Sequence, residues 1–134
     1  MGKKRTVTLT NRPPVTFDED NWPLIASAHD SEHDNQYEFQ SNRTSKWFIG
    51  VRQHDDGRAI VYAKYSYSSA WQGERSLFAA RGLLLGNDAD TNDICAAIRE
   101  VCNDICGCEH YGDDADRWDT LSDECQADMP AEVI

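Results

Sequence analysis

The sequence predicts an α+β domain, an antiparallel sheet of three or four strands with helices packed on one face. Three observations carry that expectation. Residues 45–67 hold two runs rich in aromatic and β-branched side chains, separated by His54-Asp55-Asp56-Gly57, the pattern of a hairpin. Ile94, Ile98, Val101 and Ile105 recur at spacings of four, three and four, which makes one apolar stripe of a helix. Strand signals come early in the chain and the strongest helix signals come late, so the elements are segregated rather than alternating as βαβ units. At 134 residues the chain suits one domain over 1–134 with a single ordinary core.

Taken in order, Thr6-Val7-Thr8-Leu9-Thr10 alternates polar and apolar residues and reads as a short strand. Asn11-Arg12-Pro13-Pro14 breaks it, because two prolines remove two backbone donors. Asp18, Glu19 and Asp20 ahead of Trp22-Pro23 resemble an acidic first turn, and Trp22, Ile25 and Ala26 have helical spacing, so a helix is expected there. The polar run His29 to Gln36 reads as an exposed loop, and Tyr37-Glu38-Phe39-Gln40 as a strand beside the hairpin. Within the hairpin, Trp47, Ile49 and Val51 share one face, while Phe48, Gly50 and Arg52 share the other. The Asp-Gly pair suits a turn with positive φ. Residues 77–85 fit either a short helix or a buried strand. Asp90 or Thr91 is the expected N-cap of the helix that follows, and Gly107 its C-terminal glycine. Tyr111 to Asp116 reads as an acidic loop. Asp116 to Cys125 then forms a second helix with Trp118, Leu121 and Cys125 on one face.

Charge is the sequence's most uneven property. The net charge of −11 comes from 24 acids and 13 bases. Residues 1–16 carry +4, residues 17–40 carry −7, residues 41–86 carry +4, and residues 87–134 carry −12 with only Arg99 and Arg117 as bases. Two readings fit such an acidic segment: carboxylates that keep the chain soluble, or a face directed at a basic partner. Few cations are available to replace counterions, so direct nucleic-acid binding is not expected. No apolar run reaches the ~18 residues of a membrane span, and no apolar stretch follows the basic start. A cytoplasmic protein without a membrane partner is therefore expected.

Several residues invite chemistry. Cys102, Cys106, Cys108 and His110 are zinc-ligand types, but four of them within nine residues do not resemble paired knuckles across a loop. Cys95, Cys102 and Cys106 lie beside the isoleucine stripe, where small buried thiols are common, so no metal or other cofactor is expected. Asp88, Asp90 and Asp93 lack the glycine and glutamate of a calcium-binding loop: the corresponding positions hold Asp93 and Arg99. Helix capping explains the same acids. His54 beside Asp55 and Asp56 is a His–carboxylate pair of the kind used in proton transfer, yet a hairpin turn also explains it. With no nucleophile elbow, phosphate loop or metalloprotease motif, the expectation is a protein that is not an enzyme and has no catalytic residues. Tyr62, Tyr65, Tyr67 and Trp71 gather near the hairpin's end, as core or, with Arg58, Lys64 and Arg75, as a contact for an acidic partner or a second copy in a homodimer.

Val51-Arg52-Gln53-His54-Asp55-Asp56-Gly57-Arg58, Ala70-Trp71-Gln72-Gly73-Glu74 and the ending Asp128-Met129-Pro130-Ala131-Glu132 resemble small acidic proteins encoded in phages and prophages of proteobacteria. That resemblance covers about half of the chain and brings no catalytic residues with it. It implies an inhibitor of a host defence complex, of the anti-CRISPR kind, working in the cytoplasm of the host bacterial cell. The expected partner is a host protein or ribonucleoprotein with a basic nucleic-acid-binding surface. On this reading Asp113, Asp114, Asp116, Asp119, Asp123 and Glu124 stand in for phosphates, as a DNA mimic. The alternative is a phage structural or assembly protein that acts through self-association.

Overall fold

A computed structural model describes residues 3–10, 13–36, 41–69, 77–106 and 115–130. Strands β1 (Lys4–Val7) and β2 (Val15–Asp18) form a small antiparallel sheet. Strands β3 (Leu24–Gln36), β4 (Ser41–Gln53), β5 (Ala59–Ser69) and β6 (Leu77–Leu85) form a four-stranded antiparallel meander, and helices α1 (Thr91–Cys106) and α2 (Ala115–Asp128) follow. The α+β class is as the sequence indicates. Both helices pack on one face of the large sheet: α1 lies over β5 and β6, α2 over β3 and β4. The small sheet covers part of the other face.

The register explains which residues become core. Ala28, Ile49 and Ala63 stand in one row across the sheet, with Ala26, Val51 and Val61 in the next. These rows face the helices and meet Ile94, Ile98, Val101 and Ile105 of α1 and Trp118, Leu121 and Cys125 of α2. The alternation of Trp47, Ile49 and Val51 read from the sequence is therefore the buried face of β4. On the opposite face Ile60, Tyr62, Phe17, Trp22, Val7 and Leu9 form a second cluster beneath the small sheet. That layer has no counterpart in the sequence-based architecture.

The β4–β5 turn follows its sequence closely. Gly57 adopts φ +97°, its N–H donates to the His54 carbonyl at 2.9 Å, and a Cβ there would lie 2.6 Å from the Asn87 carbonyl oxygen. Only glycine meets both demands. Helix α1 opens with a reciprocal cap: the Asp93 N–H donates to the Asp90 carboxylate at 2.8 Å, and the Asp90 N–H donates to the Asp93 carboxylate at 3.1 Å. This is the capping-box geometry with aspartate in both roles, and it gives Asp90 and Asp93 a structural role.

Three expectations need correction. Residues 18–28 do not form a helix, and 29–36 are not a loop: strand β3 runs from Leu24 to Gln36. The acids at 18–20 close a turn instead, with the Asp20 N–H donating to the Asp18 carboxylate and the Trp22 N–H to the Glu19 carbonyl. A single turn of helical spacing at Trp22, Ile25 and Ala26 cannot outweigh pairing with β4, where Ala26 and Ala28 face Val51 and Ile49. Further on, His29 to Gln36 is strand because β4 extends alongside it as far as Ser41; backbone pairing overrides side-chain polarity. Residues 77–85, open between helix and strand on sequence, form β6. The first strand is Lys4–Val7 rather than Thr6–Thr10, with Leu9 still buried. Tyr37 to Gln40, Trp71, Gly107, Cys108, His110 and residues 111–114 lie outside the described residues.

Candidate partner-binding face

Helix α2 presents two unlike faces. Trp118, Leu121, Ser122 and Cys125 are buried against α1 and the sheet, whereas Asp116, Asp119, Asp123 and Glu124 are exposed. The spacings of three, four and one follow from the buried set: positions that turn away from a core contact on a 3.6-residue period turn toward solvent. Asp113 and Asp114, the other two expected site residues, lie outside the described residues.

The four carboxylates lie within nine residues, about 12 Å of helix, at successive rises of about 4.5, 6 and 1.5 Å. That gives roughly one charge per 4 Å, close to the 3.4 Å per phosphate along one DNA strand. Among the described residues none of the four takes part in a salt bridge. The two arginines of the acidic segment are engaged elsewhere. Arg99 Nη1 donates to Gln126 Oε1 at 2.8 Å, and Arg117 reaches Asp30 and Glu32 on β3 at 2.6 and 3.0 Å. Among the described residues no base forms a salt bridge with the acidic stripe.

Between α2 and β3 lies an open cleft of about 400 Å³, lined by His29, Asp30, Asp116, Arg117, Thr120, Leu121 and Glu124. Sequence reasoning missed His29 and Asp30, which it assigned to a loop. The signal that could have found them is the length of β4, whose polar first half requires a partner strand. Asp128, at the end of α2, accepts the Ser27 N–H of the same edge strand at 2.9 Å, so the helix is tied to β3 at one end by Asp128 and near the other by Arg117.

The other candidates that lie among the described residues include His54, Cys102, Cys125, Tyr62 and Tyr65. His54 Nδ1 accepts the Asp56 N–H at 3.1 Å, and Asp56 also receives Arg58 at 2.7 Å. Hydrogen bonding from the Arg58 backbone N–H first, and then from its side chain, holds the Asp56 carboxyl below its usual range. The His54 ring packs on Trp22, centroids 5.1 Å apart. Cys102 and Cys125 are buried between the helices, and burial pushes both thiols up to about 12. Such thiols are poor ligands and poor nucleophiles. Among the described residues no group of three metal-ligating side chains converges. Tyr62 and Tyr65 are core on opposite faces of the sheet; Tyr65 packs against Trp47 and Tyr62 accepts a hydrogen bond from Arg52 Nε at 3.1 Å. Among the described residues no helix is long and apolar enough to cross a membrane. No protein-family model, curated protein or solved structure matches the chain.

Proposed function

We propose that the chain is a phage-encoded inhibitor of a host defence complex, of the anti-CRISPR kind, whose α2 face occupies a basic nucleic-acid-binding surface as a DNA mimic. The single observation that carries this reading is the exposed cluster of Asp116, Asp119, Asp123 and Glu124, free of internal salt bridges among the described residues and with a mean charge density near that of one DNA strand. A rim carboxylate contributes about 0.5–1 kcal/mol to a protein contact, so the four act together with the cleft beside them. The rigid helix holds the charges in place before binding, which limits the ordering cost of association. The same stripe repels nucleic acid, so the partner of this face is a protein surface, or the protein part of a ribonucleoprotein. No catalytic group or cofactor is needed for such a role.

Plating a targeted phage on bacteria that carry active CRISPR immunity, with and without this chain expressed, tests the proposal. Restored plating against at least one system, lost when Asp116, Asp119 and Asp123 are replaced by lysine, supports it. Plating unchanged across a panel of systems, or restored equally by the triple variant, rejects it.

A further inference from the structure

We propose that the part of the four-stranded sheet's outer face left open by β1 and β2 binds single-stranded nucleic acid, with Phe78 as the stacking surface, half-buried Phe48 beside it, and Lys46 and Lys64 as phosphate contacts. Two adjacent rows cross this face. One runs His29, Phe48, Lys64, Ala80, and the next runs Ser31, Lys46, Ser66, Phe78. Neither row holds a carboxylate, in a chain with 24 acids. Phe78 is 66% exposed, one of two exposed large apolar side chains among the described residues. Phe48 is half-buried and packs against the cluster of Ile60 and Tyr62, and a Cβ on Gly50 would meet its ring edge at 2.7 Å.

Phe48 and Phe78 sit two strands and one row apart, which is about 12 Å, a distance that two nucleotides span. Lys64 lies on the strand between them, its Nζ 5.4 Å from the Phe48 centroid. Arg5 and Lys64 line a small groove beside Phe78, and Arg5 is held there by Glu19 at 2.6 Å. Partial burial lowers the Lys64 ammonium, and the nearby Arg5 and Arg52 charges lower it further. An incoming phosphate relieves that repulsion. Cations interleaved with aromatic rings on a sheet are the general means of holding an unpaired strand, because every base offers a π-face.

The net charge of −11 does not forbid this. The acids of α2 lie on the far side of a helix about 10–12 Å thick, more than a Debye length of ~8 Å at physiological salt from the open face. The low cation count that argues against nucleic-acid binding on sequence is a whole-chain property, whereas the fold gathers cations on one surface. A second copy is the less suitable occupant. Its α2 stripe matches the lysines in charge, but offers no exposed large apolar side chain among the described residues to cover Phe78.

Fluorescence anisotropy with labelled oligouridylate and oligothymidylate of about a dozen nucleotides, titrated with the full chain, tests the proposal without any protein partner. Two phosphate contacts predict a log–log salt slope near −1.4, or about a sevenfold loss of affinity between roughly 50 and 200 mM salt. Phe78→Ala weakens binding at least ~fivefold, and combining Lys46→Ala with Lys64→Ala flattens the salt dependence, while thermal melting shows each variant folded. No binding by the parent at low salt overturns the proposal, as do variants that bind like the parent. Concentration-dependent self-association that the lysine variant abolishes, without oligonucleotide binding, assigns the face to a second copy and likewise overturns it. Because this experiment needs only the chain, its failure leaves the reading of the α2 face standing.

Discussion

Arg117 lies over Trp47, its guanidinium carbon 3.9 Å from the ring centroid, while its two terminal nitrogens reach Asp30 and Glu32. Helix α2 therefore docks on the β3–β4 pair through Arg117, the base that lies within its own acidic stripe. Trp47 fixes the guanidinium plane, and the β3 acids use its donors, leaving Asp116, Asp119, Asp123 and Glu124 outside any salt bridge among the described residues. Charge segregation is a result of packing here, as well as of sequence.

Replacing Arg117 by alanine removes a cation–π contact and two ion pairs that are partly exposed. The expected cost is about 1–2 kcal/mol of unfolding free energy, read from urea denaturation. Arg117→Lys recovers little of it, since an ammonium cannot stack on Trp47 and reach both carboxylates in one plane. An unchanged midpoint in Arg117→Ala contradicts the anchoring role.

Glu19 supplies a pH dependence with a definite sign. Its carboxyl is held below the usual 4.5, chiefly by the Arg5 hydrogen bond, with the Arg5, Arg52 and Lys3 charges adding. A depressed acid contributes stability that is fully present above its unfolded value and is lost as pH falls through the folded one. Thermal melts of the parent and Glu19→Gln should differ at neutral pH and converge as the pH drops well below 4.5. A difference that persists into acid assigns the effect to shape rather than charge.

Gly57 to alanine tests the β4–β5 turn. The positive φ alone costs about 1–2 kcal/mol for a residue with a Cβ, and the approach to the Asn87 carbonyl adds to it. Chemical denaturation should show at least that loss, whereas an unaltered midpoint contradicts the turn geometry.

The thiols should separate by burial. Cys102 and Cys125, fully enclosed and raised to about 12, resist alkylation in the folded protein at mildly alkaline pH, while half-exposed Cys95 and Cys106 react. Peptide-level mass spectrometry after iodoacetamide, with and without denaturant, reads this directly. Rapid labelling of Cys102 in the native state contradicts the helix packing.

Much of the fold was legible because its signals are local. The hairpin 45–67, the Asp-Gly turn, the α1 stripe and the buried face of α2 each follow from periodicity or turn chemistry within a few residues. Strand β3 was not legible, since its second half is polar on both faces and becomes strand only through pairing with β4. The layer of β1, β2 and Trp22 was hidden for a related reason: Val7, Leu9, Phe17 and Ile60 meet only after the chain folds back on itself. For the candidate face, the acids of α2 were readable as a stripe, but the cleft with His29 and Asp30 depended on the missed strand. Phe48 was assigned to the correct face of β4, yet its company of Lys46, Lys64 and Phe78 required the registers of three strands.

The α2 stripe is tested most directly by competition on a purified DNA-targeting complex that the chain inhibits in plating. Labelled double-stranded target bound to that complex is titrated with the parent and with the Asp116→Lys, Asp119→Lys, Asp123→Lys variant, following anisotropy. Stepwise release of the duplex by the parent, needing more protein as target concentration rises, with the variant at least ~tenfold weaker, is the expected result. A duplex that stays bound while the chain also binds, or a variant as potent as the parent, contradicts phosphate mimicry by this helix.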